Sequence, residues 1–347
     1  MGIVELNGQP EIDETDVKIL KILQADPRTS YSQIAETCET SIDTVRRRYE
    51  KLRKEGVIVS EVMGFHPKIR GFECFAWIGI ITQPGKEKYV LKTLEEQPKV
   101  SQNFVEIGTY NIRSLVMLKS IDGLPDFVDD LKKNQYINNV DVMIWTNIEE
   151  MVHPTNLVIR PFPAATNNDE SGVPKDIKIS SKFIQKQKGK QYNKKLKTKD
   201  PKFDLIDQTI MRVLSLTART PFRTIAKQLG ISTKTAILRY EKLKRDWIWY
   251  STISLNFEKL GYSGHVSSLI KVSNKNWVSE VFSQLIQIPN VIVAMRLLGP
   301  YDIDVLSPFS TTSELMDIKQ AISEIPGIER VNYQIGESLI WPPLPTF

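Results

Sequence analysis

Cysteine and histidine are scarce in this 347-residue sequence, with two of the first and three of the second. Cys38 and Cys74 share no C-x-x-C spacing and have no histidine cluster beside them, which fits a reducing compartment and thiols without a special task. His66, His153 and His265 are scattered, so neither metal-ligand spacing nor a convergent set of base and nucleophile can be read. There is no P-loop. Gly261-Tyr-Ser-Gly-His265 begins like a nucleophile elbow but has histidine where the last glycine belongs. Long apolar runs are missing too: Phe75 to Ile81 is far too short to cross a bilayer, and the N-terminus lacks a basic segment followed by an apolar core. The expectation is a cytoplasmic protein with no membrane association, no cofactor and no metal. Its 41% apolar and 25% charged residues are ordinary for a globular chain of two to four domains.

What is present is a repeat. Displacing the sequence by 191 positions carries Ser41 onto Ser232, Thr44 onto Thr235 and Arg48-Tyr49-Glu50-Lys51-Leu52 onto Arg239-Tyr240-Glu241-Lys242-Leu243. Upstream, Asp16, Ile19, Leu23, Arg28, Thr29, Ile34 and Ala35 land on Asp207, Ile210, Leu214, Arg219, Thr220, Ile225 and Ala226. Downstream, Pro98 meets Pro289, Gly108 meets Gly299, Tyr110 meets Tyr301 and Val140 meets Val331. One slip, at Gly71 against Gly261, is recovered by Pro98. The chain is a duplicated unit of about 140 residues, and what one copy does has to be asked of both.

Charge is unevenly placed. Of the net +5, the stretch Gly172 to Lys202 contributes eleven lysines against Asp176 and Asp200, a local +9 that leaves the rest of the chain at −4. Residues 160–202 read as a basic linker, solvated and able to touch phosphates without sequence preference. As flexible coil, its roughly 40 residues span about 35 Å.

Each copy opens with helical signals. Val17, Ile19, Leu20, Ile22 and Leu23 have helix spacing and stop at Asp26-Pro27. Ser30 precedes a short second helix over Tyr31 to Cys38. From Ser41, a residue able to cap, Ile42, Val45, Tyr49 and Leu52 form one stripe while Asp43, Thr44, Arg47, Lys51 and Lys54 lie opposite. Three such helices, the last basic, make a helix-turn-helix unit, and Val57 to Phe65, alternating around Gly64, reads as its hairpin wing. The second part of each copy reads β-α-β-β-α-β. In the first, strands lie over Cys74 to Ile81, Val105 to Ile107, Ile112 to Lys119 and Val140 to Ile148, with helices over Glu87 to Gln97 and Pro125 to Lys133. In the second, strands lie over Val266 to Val272, Val291 to Leu298, Ile303 to Ser307 and Ile328 to Ile335, with helices over Val278 to Ile286 and Ser313 to Ser323. The fold class is therefore α+β: winged helix-turn-helix domains over 13–65 and 203–257, and ferredoxin-like domains over 72–150 and 262–341. In Phe75 to Ile81 and Leu115 to Leu118 both strand faces are apolar, so something covers the face without helices; sheet-to-sheet packing, between copies or between chains, is the expectation.

Asp13-Glu-Thr-Asp16, Ile19-Leu20, Leu23, Arg28, Ile34-Ala35, Ser41, Val45, Arg48, Leu52 and Gly56-Val57-Ile58 resemble the winged helix-turn-helix of the Lrp/AsnC feast/famine regulators. So do Asp204, Asp207, Ile225 to Ser232 and Leu243. The resemblance implies double-stranded DNA as partner, a ligand-sensing role for the ferredoxin-like part, and homo-oligomers, here with a pseudo-dimer inside one chain. It departs at Glu39, where the second copy and the family have glycine (Gly230). If that position needs positive φ, a side chain there costs about 1 kcal/mol and the first turn is reshaped.

The candidate DNA-binding residues are Ser41, Asp43, Thr44, Arg46, Arg47, Arg48, Lys51 and Lys54 in the first copy. In the second they are Ser232, Lys234, Thr235, Leu238, Arg239, Lys242 and Arg245. Thr44, Lys51 and Lys54 keep their type as Thr235, Lys242 and Arg245, as phosphate contacts would. Asp43 and Arg47 become Lys234 and Leu238, as base readers would if the heads differ: arginine suits guanine O6 and N7, leucine a thymine methyl. The bland alternative is a solvated charged face. By the same resemblance, the loops Gly108-Thr-Tyr110-Asn111 and Gly299-Pro-Tyr301-Asp302 border the effector site, where an aspartate meets the amino group of a small amino acid. Only the second keeps the carboxylate, and plain β-turns would use the same residues. Two other classes stay open. Sirohaem decarboxylases are similar in architecture, but their Trp-Pro-Tyr-Asn segment stands here as Gly-Thr-Tyr-Asn and Gly-Pro-Tyr-Asp, with no histidine placed beside it. A scaffold that binds proteins through its sheets is the third.

Overall fold

In a computed structural model of the chain, residues 10–146, 152–162 and 203–343 are described. The lysine-rich stretch Gly172 to Lys202, and Asn147-Ile148 at the end of one expected strand, lie outside them. The chain divides into two compact units that cut across the repeat. One comprises Met1–His66, Val158–Tyr262 and Leu339–Phe347; the other comprises Pro67–Leu157 and Ser263–Ser338.

The first unit gathers the helical starts of both copies: α1 (Glu14–Ala25), α2 (Tyr31–Thr37) and α3 (Ile42–Lys54), then α6 (Leu205–Leu216), α7 (Phe222–Leu229) and α8 (Thr233–Asp246). Asp13 and Asp16 close a capping box at the start of α1, each carboxylate accepting the other's backbone N–H. Ser30, Ser41 and Ser232 cap α2, α3 and α8. In α1, Val17, Ile19, Leu20, Ile22 and Leu23 are all fully buried, which is more than one stripe. A helix buried on several sides has more than one partner. Here the second cover is β6 (Ile248–Asn256), which belongs to the other copy.

The expected hairpin wing is absent. Ile58–Phe65 is a single strand, β1, paired antiparallel with β6. The strand does not alternate, since Ser60 to Gly64 are all buried, and its partner is the equivalent strand of the second copy. Gly64 is no turn glycine: a Cβ there would lie 2.2 Å from the ring of Tyr250, its neighbour on β6. The register is reciprocal. Glu61 pairs with Ile253 and Val62 with Thr252, Ser60 with Ser254 and Met63 with Ser251; under the 191-residue offset each pair is the mirror of the other. Such self-complementary pairing is the signature of a two-fold interface, here between unequal copies. Two segments join this unit unexpectedly. Ile340–Trp341 (β11), read as the end of the second ferredoxin-like domain, extends the sheet on the free side of β6. Phe162, read as linker, exchanges both backbone hydrogen bonds with Ile12, which precedes the first expected domain.

The second unit is one eight-stranded array with helices α4 (Glu87–Glu95), α5 (Gly123–Lys132), α9 (Val278–Leu285) and α10 (Thr312–Ser323). The first copy supplies β2 (Cys74–Thr82), β3 (Val100–Val105), β4 (Ile112–Leu118) and β5 (Ile137–Thr146). The second supplies β7 (Gly264–Val272), β8 (Val293–Leu298), β9 (Ile303–Phe309) and β10 (Ile328–Glu337). The order is β10-β7-β9-β8-β5-β2-β4-β3, two ferredoxin-like sets joined edge to edge. β8 pairs with β5 through Ile144 and Leu298, and Ile107 exchanges hydrogen bonds with Ile335, the mirror-related pair. β3 lies earlier than the expected Val105 to Ile107, because its half-exposed run Ser101-Gln102-Asn103 has no alternation to reveal it.

One face of each set is closed by its own helices, through Ile78, Ile80, Val90 and Phe127 in the first copy and Val266, Ile270, Phe282 and Ile322 in the second. The other faces meet each other. Phe104 of the first copy packs edge-on against His265 of the second, and Arg113 reaches Asp304. The doubly apolar strands of the first copy are thus covered within the chain.

Candidate nucleic-acid interface and effector loops

The two turns that lead into α3 and α8 have the same shape. Gly230 sits at φ 65 and Glu39 at φ 53, so the departure from glycine leaves the turn intact and puts a glutamate in the left-handed region. A Cβ at Gly230 would have no neighbour within 4 Å, so the cost at this position is backbone strain alone.

Along α3 the candidate side chains separate into two sets. Ser41 is the cap, accepting from the Thr44 N–H, and its hydroxyl bonds that of Thr44. Arg48 donates to Asp13 at 2.6 Å and Asp16 at 3.0 Å, tying α3 to the start of α1. Burial would raise the Asp13 carboxyl, but the Asp16 N–H and the Arg48 guanidinium hold it below its ordinary value. Arg239 does the same in the second copy, with Asp204 at 2.9 Å and Asp207 at 3.2 Å. These two arginines brace their helices, with side chains 24% and 34% exposed. Lys51 donates to the Glu11 carbonyl at 2.6 Å, and Arg245 pairs with Asp246 while its side chain stays exposed. The exposed face of α3 is then Asp43, Arg46, Arg47 and Lys54, with Asp43 3.7 Å from Arg46. That of α8 is Lys234, Leu238 and Lys242, joined by Ile237, which the sequence reading omitted. Leu238 is 62% and Ile237 39% exposed. Apolar exposure on a helix whose other face is buried is the signal that would have found Ile237.

Two arginines fix the copies to each other. Arg28 donates across to the carbonyls of Ala218 and Thr220 and lies over the rings of Phe222 and Tyr240. Arg219 donates back to Pro27 and Thr29 and lies over Tyr31 and Tyr49. Every partner is the 191-residue counterpart of the other's. The strands add Ser60 to the Leu216 carbonyl at 2.6 Å and Thr252 to the Gln24 carbonyl at 2.9 Å. Tyr49, half-buried, is held protonated by burial and by Glu61, to which its hydroxyl donates.

The effector loops lie in the second unit, each against a strand of the opposite copy. A Cβ on Gly108 would come 2.3 Å from the Tyr333 carbonyl, and one on Gly299 2.4 Å from that of Val142. Glycine is required at both by this approach. Asn111 turns inward and accepts from the Thr82 N–H at 2.9 Å. Asp302 is occupied: it accepts from the Val272 N–H at 3.0 Å and forms ion pairs with Lys275 and with Lys271 at 3.4 Å. Burial would raise its carboxyl, but these partners hold it low. Tyr110 donates to Asp141 at 2.8 Å, whereas Tyr301 accepts from Asn332, which also donates to Thr109 of the first copy. Neither loop offers an unpaired carboxylate to an ammonium group. The backbone N–H of His66 donates to the Trp247 carbonyl and that of His153 to the Ile292 carbonyl, which places both histidines away from the loops. His265 is nearer the loops than its sequence position suggests, touching Glu106, two residues before Gly108.

Comparison with known proteins supplies the context. Residues 12–59 match the winged helix-turn-helix DNA-binding family, and residues 203–244 the AsnC-type helix-turn-helix domain. An HTH-type transcriptional regulator of Pyrococcus horikoshii is 33% identical over 141 residues, 40% of this chain and 89% of that protein. The regulatory protein AsnC of Escherichia coli K12 is 33% identical over 114 residues, 33% of this chain and 75% of AsnC. Each match is one copy long. A crystal structure of the sirohaem decarboxylase NirDL shares the fold over 93% of this chain and 91% of its own, with TM-score 0.58 and 16% identity. Among the described residues, no helix is long and apolar enough to cross a membrane.

Proposed function

The chain belongs to the Lrp/AsnC family of DNA-binding transcription regulators, and from that premise we propose that it reads an operator with two unlike heads carried on one polypeptide. The observation that supports this is the reciprocal lock of the first unit. Strand register and the Arg28 and Arg219 exchange bind the two winged-helix copies as a family dimer would be bound, yet the exposed residues of α3 and α8 differ. Arg46 and Arg47 are the candidate guanine readers of the first head. Lys234, Ile237 and Leu238 serve the second, with the two apolar side chains suited to thymine methyl groups. Lys54 and Lys242 contact phosphate, while Arg48 and Arg239 act only by holding their helices.

The ferredoxin-like pair is the sensing part, with Gly108, Tyr110, Asn111, Gly299, Tyr301 and Asp302 as its loops. Because Asp302 is already neutralised by Lys275, a free amino acid is a weak ligand here or none. The likeness to NirDL is one of fold. Both ring nitrogens of His265 are engaged, by Glu106 and by the Glu337 carbonyl, so it does not fit an axial haem ligand, and the chain is read as a regulator without enzymatic activity. Selection of bound sites from random duplexes tests the proposal. Two half-sites of different sequence are the expected outcome, and a perfect palindrome is the contrary one.

A further inference from the structure

The helix-free faces of the two ferredoxin-like sets meet around a group of charges that is wholly buried. Arg113 donates to both oxygens of Glu106, at 2.6 and 2.8 Å, and to Asp304 at 2.8 Å. Its side chain is 1% exposed, and those of Glu106 and Asp304 are 0%. His265 lies 3.2 Å from Glu106, and Ser267 donates to Asp304 at 3.0 Å. Arg113 and Glu106 come from the first copy; Asp304, His265 and Ser267 come from the second.

Arg113 and Asp304 occupy the same position of the repeat, since 113 displaced by 191 is 304. The ladders agree. Arg113 is flanked by Gly79 and Phe104, Asp304 by their counterparts Leu269 and Met295. Glu106 likewise corresponds to Leu297, and both sit ahead of their loops with the N–H bonded to Asn111 and to Asp302. One position of the ancestral face has therefore become a cation in one copy and an anion in the other, and these two touch.

We infer that this pair makes the buried faces mutually exclusive for their own kind, so that a first-copy face accepts only a second-copy face. Pairing two second copies would bury Asp304 against Asp304 with no cation, because Glu106 and Arg113 are replaced there by Leu297 and Asp304 itself. Pairing two first copies would leave each Arg113 its Glu106 but set one guanidinium against another and remove Asp304. A buried charge without its partner is strongly unfavourable, and this is the established way in which polar groups choose register and partner. The interface of a symmetric family dimer has been turned into a lock that keeps the duplicated chain paired with its complement.

The test uses the full chain. E106L/R113D gives the first copy the second copy's residues, so that both faces are alike; L297E/D304R does the reverse. Each variant alone is expected to lose the cooperative unfolding transition of the second unit. Co-expressed, tagged E106L/R113D is expected to retain untagged L297E/D304R about tenfold or more above what it retains of its own kind. The transposed chain carrying all four changes is expected to unfold like the wild type. If each variant keeps the wild-type transition, or if the co-expressed pair shows no preference and the transposed chain is as damaged as the separate variants, the inference is overturned.

Discussion

Truncating Arg28 tests how the two winged-helix copies are held. Its guanidinium makes two hydrogen bonds to backbone carbonyls of the other copy and lies 4.3 Å from the Phe222 ring centroid. Charged hydrogen bonds contribute about 1.5–3 kcal/mol each, and the ring contact adds about 1 kcal/mol. Against this stands about 2 kcal/mol of side-chain entropy. The expected cost of R28A is thus about 3 kcal/mol, or roughly 6–12 °C in the transition of a unit this size. Calorimetry on the full chain reads it, following the transition that belongs to the first unit. R219A is expected to cost the same within about 1 kcal/mol, because its contacts are the mirror set, and R28K is expected to recover less than half, since a single ammonium cannot span two carbonyls and cover a ring. Both alanine variants are expected to weaken operator binding at every base position alike. A loss below about 0.5 kcal/mol, the range of an ordinary surface change, would refute the two-fold lock. A large loss in only one of the two variants would do the same.

Other consequences follow from single contacts. E39G removes a left-handed non-glycine residue and is expected to gain about 0.5 kcal/mol in denaturant melts, while G230A loses about 1 kcal/mol, since nothing crowds the added Cβ. R48A is expected to destabilise the chain without changing the salt dependence of DNA binding, whereas R47A reduces affinity and leaves stability within about 0.5 kcal/mol; melting and salt titration separate them. Burial would raise the Glu106 carboxyl, but Arg113 and His265 draw it down to about 2 from an ordinary value of 4.5. Between those values the unfolded chain binds a proton that the folded chain refuses, so wild-type stability falls as pH falls through this window. E106Q cannot titrate, and its unfolding free energy is expected to be flatter over the same pH range. The companion carboxyl, Asp304, is pushed up by burial despite Arg113 and acts with the opposite sign.

Much of this structure is legible in the sequence, and the gaps have common causes. The duplication is plain, and the cap at Ser41 and the apolar residues of α1 are local signals that carry, whereas Ile42, read on the buried stripe of α3, is exposed. The apolar character of both faces of Phe75 to Ile81 announces a covered sheet, and the structure supplies the cover from within the chain. What failed was partnership. The reading of Val57 to Phe65 as strand holds, but nothing nearby says that its mate lies 191 residues away, and Gly64 looks like a turn residue until Tyr250 is seen against it. The same blindness hid the ion pairs that Arg48 and Arg239 make with the start of the first helix of each copy. A cation on a basic helix reads alike whether it meets a phosphate or an aspartate of the preceding helix. It also left Lys275 out of account, so that Asp302 looked available when its charge was already matched.

The central claim is that one chain offers duplex DNA two different heads. Binding-site selection with the wild type beside a D43K/R46I/R47L/K234D/I237R/L238R chain, in which the differing readers are exchanged, tests it most directly. The account predicts unequal half-sites for the wild type and the same two half-sites in reversed order, relative to the rest of the site, for the exchanged chain. Identical half-sites in both selections, or a site unmoved by the exchange, would contradict it.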